Sequence, residues 1–151
     1  MTPFGLFRKK QKDTPEKKKE TAKAKKPTQK TLLDELSGGN TELHEALSRT
    51  LLLNPETVVK DGADFYANKA QEHEEAQNPR DARIAYQVAG EIAMYEGKTT
   101  QVQKFFKKAA EVDPECLYKD AFEYLSKKEN AERASAAAKE FYTKMGKRTE
   151  A

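Results

Sequence analysis

A chain of 151 residues, 36% hydrophobic and 35% charged, is long enough for one domain of ordinary size but too polar to be packed core throughout. It holds no apolar run near the length of a membrane span, its first ten residues carry too short an apolar stretch for a secretory signal, and its single cysteine, Cys116, cannot close an internal disulfide, so a reducing, cytoplasmic setting is expected. The net charge of +3 conceals a division: residues 1–30 hold 11 Lys or Arg against 3 acids, and residues 31–151 hold 17 against 22, so a basic arm precedes a mildly acidic body.

The arm is nearly free of apolar residues after Phe7, and Pro15 and Pro27 interrupt it. It cannot bury enough surface to offset the entropy of ordering, so residues 1–30 are predicted to be disordered. Arg8, Lys9, Lys10, Lys17, Lys18, Lys19, Lys23, Lys25, Lys26 and Lys30 are its polyanion-binding candidates, since lysines neutralise phosphates and release counterions. Without interleaved aromatics, and with Arg almost absent, the arm reads charge and not sequence. Nucleic acid, a ribosome or an acidic protein would serve as its partner; a solubilising tail with no fixed partner is the plainer alternative. Phe4, Leu6 and Phe7 stand directly before Arg8, a membrane anchor for an anionic surface or a short docking motif for a protein.

Helical signals fill the body, residues 31–151. Thr31 is placed to cap a short helix through Ser37, closed by Gly38-Gly39. Thr41 opens a second helix with Leu43, Ala46, Leu47 and Leu51 on one face; it ends at Leu53-Asn54-Pro55, because the residue before proline leaves the helical region. A third segment is predicted from Pro55 to Gln77, with Asp61-Gly62 as a break or kink. Asn78 caps a fourth helix with Pro79 at its first position. Along it Ile84, Val88 and Ile92 recur every four residues, flanked by Ala85, Ala89 and Ala93, a wide apolar face of small residues that lets neighbouring helices approach closely. Gly97 ends it, and Thr99 or Thr100 caps the next, which carries Val102, Phe105, Phe106, Ala109 and Val112 up to Asp113-Pro114. Helices at about 115–127 and 131–145 complete the body. No segment sustains strand alternation, and the short connections imply antiparallel neighbours, so the fold class is all-α: antiparallel helix pairs stacked as a short array behind the arm.

Three segments of this body resemble one another: Asp64 to Ala70, Lys104 to Ala110 and Glu140 to Gly146 each run from a charged residue through an aromatic pair to a small residue. Their first aromatics, Phe65, Phe105 and Phe141, are 40 and 36 residues apart, a period typical of stacked helical repeats, although aromatic pairs also recur by chance in helical cores. On the repeat reading all three lie on equivalent helices and are largely buried. The stretch Tyr86 to Pro114 resembles a tetratricopeptide-type repeat. Tyr86 stands at the large aromatic position of the first helix, Ala89-Gly90 at the aliphatic-small pair, and Ala93 in place of a usual aromatic; Val102, Phe106 and Ala109 follow the second-helix pattern, and Pro114 is the closing proline. The likeness covers about one repeat, and a generic right-handed helical bundle fits the same signals. It implies a tetratricopeptide-like groove that receives a protein partner, with groove-facing positions at Gln87, Glu91 and Met94 and, on the next such helix, at Asp120, Glu123 and Lys127.

Catalytic chemistry has little to rest on. His44 and His73 fall in no zinc-ligand spacing, Glu72-His73-Glu74-Glu75 reads as a solvated helix face, and Cys116 has no histidine near it in sequence. Neither a phosphate-binding glycine loop nor a nucleophile elbow occurs. The expectation is a non-enzymatic adaptor without metal or cofactor, of unspecified oligomeric state. Its body contacts protein and its arm contacts an anionic surface; the alternative is a peripheral membrane-associated interaction protein held by Phe4, Leu6, Phe7 and the lysines.

Overall fold

The structure, a computed structural model, describes residues 27–53, 55–58 and 60–150. The expected disorder of the arm up to Lys26, the anchor Phe4, Leu6 and Phe7, and Arg8 with the lysines through Lys26 lie outside the described residues. The chain is all-α: seven helices and one 3-10 turn follow one another, and there is no strand among the described residues.

Helix α1, Pro27–Ser37, begins four residues before the predicted cap at Thr31, so Lys30 sits in a helix and not in a disordered tail. Proline suits the first helical position, where its missing N–H would have no partner anyway. Helix α2, Thr41–Thr50, is capped by Asn40 and not by Thr41: the Asn40 Oδ1 accepts the Leu43 N–H at 2.9 Å. It stops at Thr50, short of the expected Leu53, because Leu51 is extended at φ −74°, ψ 106°. The predicted segment from Pro55 to Gln77 divides into a 3-10 turn, Pro55–Thr57, and helix α3, Ala63–Glu75, so Asp61-Gly62 is a break and not a kink. Helices α4, Pro79–Glu96, and α5, Thr99–Val112, span the stretches expected of them, joined at Gly97 in the left-handed conformation (φ 76°); Asn78 holds the cap position of α4 without a side-chain bond, and Lys98, not Thr99 or Thr100, holds that of α5. Turns occupy Asp113 to Tyr118, so α6 is shorter than expected, Lys119–Leu125; α7, Lys128–Glu150, starts earlier than expected.

Helix α4 is the centre of the body. α3 and α5 pack beside it and α7 lies against it; α5 also meets α6 and α7, and α6 meets α2. The small residues make this possible. Ala82, Ala85, Ala89 and Ala93 are all buried, and Gly90 lets the Phe106 ring of α5 come so close that a Cβ at position 90 would stand 2.8 Å from it. Phe106 in turn stacks on Phe122 of α6, centroids 6.1 Å apart, and burial of one such ring is worth roughly 1.5–3 kcal/mol. On α7 the buried residues Ala131, Ala134, Ser135 and Ala138 form a narrow stripe at helical spacing.

The three phenylalanines of the repeat pattern all lie on helices, but their burial differs: Phe105 is buried, Phe141 half-buried, and Phe65 is 42% exposed. Equal burial is therefore corrected. Helix α3 buries Ala63 and Ala70, seven residues apart on one face, and Phe65 points elsewhere. Its ring meets Tyr66 edge-on at 5.1 Å and lies under the Lys69 ammonium.

Candidate functional site

Helix α4 is apolar on nearly every side, with one polar stripe. Arg83, Gln87, Glu91 and Tyr95 stand four residues apart and so lie one above another on the same face. Opposite them runs Thr50 to Leu53, where α2 ends: the Leu51 N–H still reaches the Leu47 carbonyl at 2.9 Å, and the Leu52 and Leu53 N–H groups lie beyond the helix. The stripe supplies the missing partners. Glu91 accepts the Leu52 N–H at 2.8 and 3.0 Å through its two carboxylate oxygens, and the Leu53 N–H at 2.7 Å through Oε1. The Gln87 Nε2 donates to the Thr50 carbonyl, and the Tyr95 hydroxyl donates to the Leu53 carbonyl at 3.1 Å. Arg83 holds the near end: its Nη1 donates to Gln87 Oε1 at 3.4 Å and its Nε to Asp113 Oδ2 at 3.2 Å. That bond turns the Gln87 amide so that its N–H faces Thr50.

All of these contacts with Thr50 to Leu53 are to main-chain atoms. Leu52 keeps 55% of its surface exposed, and Leu51 and Leu53 are only half-buried. The stripe itself is sealed: Glu91 is fully buried and Gln87 is 2% exposed. Burial pushes the Glu91 carboxyl up to about 8, against the lowering pull of the Leu52 and Leu53 amides and of Gln87. Burial, followed by the neighbouring Glu91 charge, likewise raises the Tyr95 phenol. With its proton retained up to about pH 8, the Glu91 carboxyl is a neutral acceptor, and each of these hydrogen bonds is worth roughly 0.5–1.5 kcal/mol.

The predicted groove residues therefore divide. Gln87, Glu91 and Met94 are buried, so they form no open groove; the chain's own segment covers Gln87 and Glu91. A groove residue on the inner face of a helix array is free only while nothing fills the groove, and the sequence held no sign that Thr50 to Leu53 would fill it. Asp120 and Glu123 on α6, and Lys127 just beyond it, are exposed, with Lys119 Nζ 4.0 Å from the Glu123 carboxylate. The two sets are on different helices and do not form one surface patch through any contact described above. Arg83 and Tyr95 belong to the site and were missed. Their signal was in the sequence: polar or amphipathic residues every four positions on a helix otherwise rich in Ala, Ile and Val.

The remaining reactive side chains have local occupations. His44 Nε2 lies 3.3 Å from Asp34, Glu74 accepts the Tyr86 hydroxyl at 2.5 Å, and the Cys116 sulfur accepts the Tyr118 N–H at 3.4 Å. Among the described residues no group of three His, Cys, Asp or Glu side chains is arranged to hold a metal ion, and no helix is long and apolar enough to cross a membrane. In comparison with known proteins, no family model, curated protein or solved structure matches this chain.

Proposed function

We propose that this protein is a non-enzymatic cytoplasmic adaptor whose helical body binds a protein partner and whose basic arm engages an anionic surface such as nucleic acid or a ribosome. The observation that carries the reading is the α4 stripe. Gln87, Glu91 and Tyr95 grip an extended segment by its main chain, which is how a protein holds a peptide whose sequence matters less than its shape. The tetratricopeptide-like pattern from Tyr86 to Pro114 supports the same reading, because α4 is the helix on which such a groove would be expected. The exposed Asp120, Glu123 and Lys127 would extend the contact along α6. The arm's eight-charge excess of base over acid supports the second half, since it suits phosphate neutralisation. Phe4, Leu6 and Phe7 ahead of Arg8 support the second reading, peripheral attachment to an anionic membrane.

The deciding experiment is capture of partners from native lysate by the full chain, with and without nuclease. The adaptor reading expects protein partners to survive nuclease and to be lost after charge reversal of Asp120 and Glu123. Loss of every partner with nuclease would leave nucleic acid as the sole target. Anionic vesicles bound by the wild type but not by Phe4→Ala/Phe7→Ala would favour the membrane reading.

A further inference from the structure

The segment that fills the α4 stripe has the properties of a ligand, and this inference rests on the adaptor reading above. Beyond Thr50, the buried last residue of α2, it is extended; it is held through its main chain, and Leu52 keeps 55% of its surface exposed while Leu51 and Leu53 are half-buried. It is also short, and lies between the end of α2 at Thr50 and the turn at Pro55. We propose that Thr50 to Leu53 is a built-in occupant of a main-chain-reading groove, and that an extended apolar peptide of a partner displaces it by repeating the same hydrogen bonds.

The chemistry of the incoming peptide follows from the stripe. It must offer two successive main-chain N–H groups to Glu91, with one carbonyl before them for Gln87 and one after for Tyr95. Proline is excluded at the two donor positions, because it has no N–H. The tethered segment competes with an effective concentration on the order of millimolar, so a free peptide binds the closed chain weakly and the opened chain well. Arg83 serves as a positioning residue: it touches neither segment nor peptide and sets the Gln87 amide.

Leu52→Pro/Leu53→Pro opens the clasp in the full chain. It removes both N–H donors, leaves α4 untouched, and suits the extended backbone already present at Leu51. The probe is an acetylated peptide with the sequence of residues 49–54, followed by fluorescence anisotropy. The opened variant should bind it at least ten times tighter than the wild type does. Binding should vanish for a peptide N-methylated at its second and third leucines, and for the opened variant carrying Glu91→Met. A folded opened variant that ignores the peptide, or one that binds the N-methylated peptide equally well, overturns the proposal.

Amide exchange in the wild-type chain tests the same idea without mutation. Leu52 and Leu53 should exchange by local opening at least tenfold faster than Ile92 and Ala93, and saturating peptide should strip their protection. Exchange of Leu52 and Leu53 only with global unfolding overturns the proposal whatever the variant does. Protein partners that survive nuclease alongside a peptide that never binds would strike the clasp and spare the adaptor. Peptide uptake by a chain that captures no protein would do the reverse.

Discussion

Helices α4 and α7 are built from similar small residues, yet they use them in opposite ways. On α7 the buried stripe is Ala131, Ala134, Ser135 and Ala138, and the rest of the helix up to Met145 is exposed or half-buried. It is an ordinary amphipathic helix lying on the outside of the body. On α4 the run from Ala89 to Tyr95 is buried without interruption, including a glutamate. Over this run α4, packed by α3, α5 and α7, has no solvated side on which to put a polar residue. It tolerates Gln87 and Glu91 only because the main chain of Thr50 to Leu53 comes to meet them. The same residue type would therefore be incidental on α7 and structural on α4.

The largest expected effect tests this contrast directly. Glu91→Lys would leave two buried N–H donors without an acceptor and bury an unpaired cation among them. We expect a loss of about 5 kcal/mol or more, enough to unfold a domain of this size. Glu91→Lys therefore cannot serve as a surface variant, as an open groove would have allowed. The equivalent swap on the outer helix, Glu140→Lys, breaks only an exposed pair with Lys144 and should move stability by less than about 0.5 kcal/mol. Urea denaturation of the two variants compares them; similar midpoints would refute the distinction between the helices.

Next in size is Phe106→Ala, with an expected cost of about 3–5 kcal/mol. The ring fills the space between Gly90 and Phe122, so its removal opens a cavity at the α4–α5–α6 junction. Wild-type stability should also depend on pH through Glu91. Its folded value, about 8, lies above the 4.5 of an ordinary carboxyl. Between those values the unfolded chain has released a proton that the folded chain still holds, so stability falls as pH rises from about 4.5 to 8 and levels off beyond. At about 1.4 kcal/mol per pKa unit, the decline amounts to a few kcal/mol. Glu91→Gln should flatten it, and a Glu91→Gln profile parallel to that of the wild type would show that another group is responsible.

How much of this was legible in the sequence depended on the range of the signal. The α4 and α5 helices could be read because Pro79, Gly97 and Pro114 punctuate them and their apolar residues keep a helical period. The small residues of α4 could be read as a close-packing surface, and Ala85, Ala89 and Ala93 are buried in it. What could not be read was non-local. Leu52 is 39 positions from Glu91 in the chain, and three consecutive leucines look like a helix end going into the core, not an extended segment held by its amides. Gln87 and Glu91 were expected to face an open groove, and nothing local said that they would be buried beneath the chain's own segment. The second helix opens at Thr41 as expected, but the early start at Pro27 was missed because Thr31 is also a good cap, and one residue type does not outbid another without the geometry.

A smaller effect belongs to Gly90→Ala. The added methyl would stand 2.8 Å from the Phe106 ring, which is held in place by Phe122, so the helices must part slightly at a cost of about 1–3 kcal/mol. Phe106→Leu in the same chain vacates that space, so the double variant should be more stable than the sum of the two single losses predicts. Strict additivity in thermal melts would mean that Gly90 and Phe106 do not meet in solution.

The smallest effect is expected at Phe65, one of the three phenylalanines that first suggested repetition. Phe105 is 3% exposed and Phe65 is 42% exposed, although the two occupy matching places in similar segments. If burial governs, Phe105→Ala should cost about 3–5 kcal/mol and Phe65→Ala less than about 1 kcal/mol. The small remainder at Phe65 would come from its edge-on contact with Tyr66 and from the Lys69 ammonium over its ring, both on the same helix. Phe141, half-buried on α7, should fall between them. Measured by the shift of the urea midpoint, the order Phe105, Phe141, Phe65 follows from the packing alone. A loss at Phe65 as large as that at Phe105 would mean that another surface covers α3 in solution, and the exposed ring of Phe65 would then mark where a partner or a second copy of the chain sits.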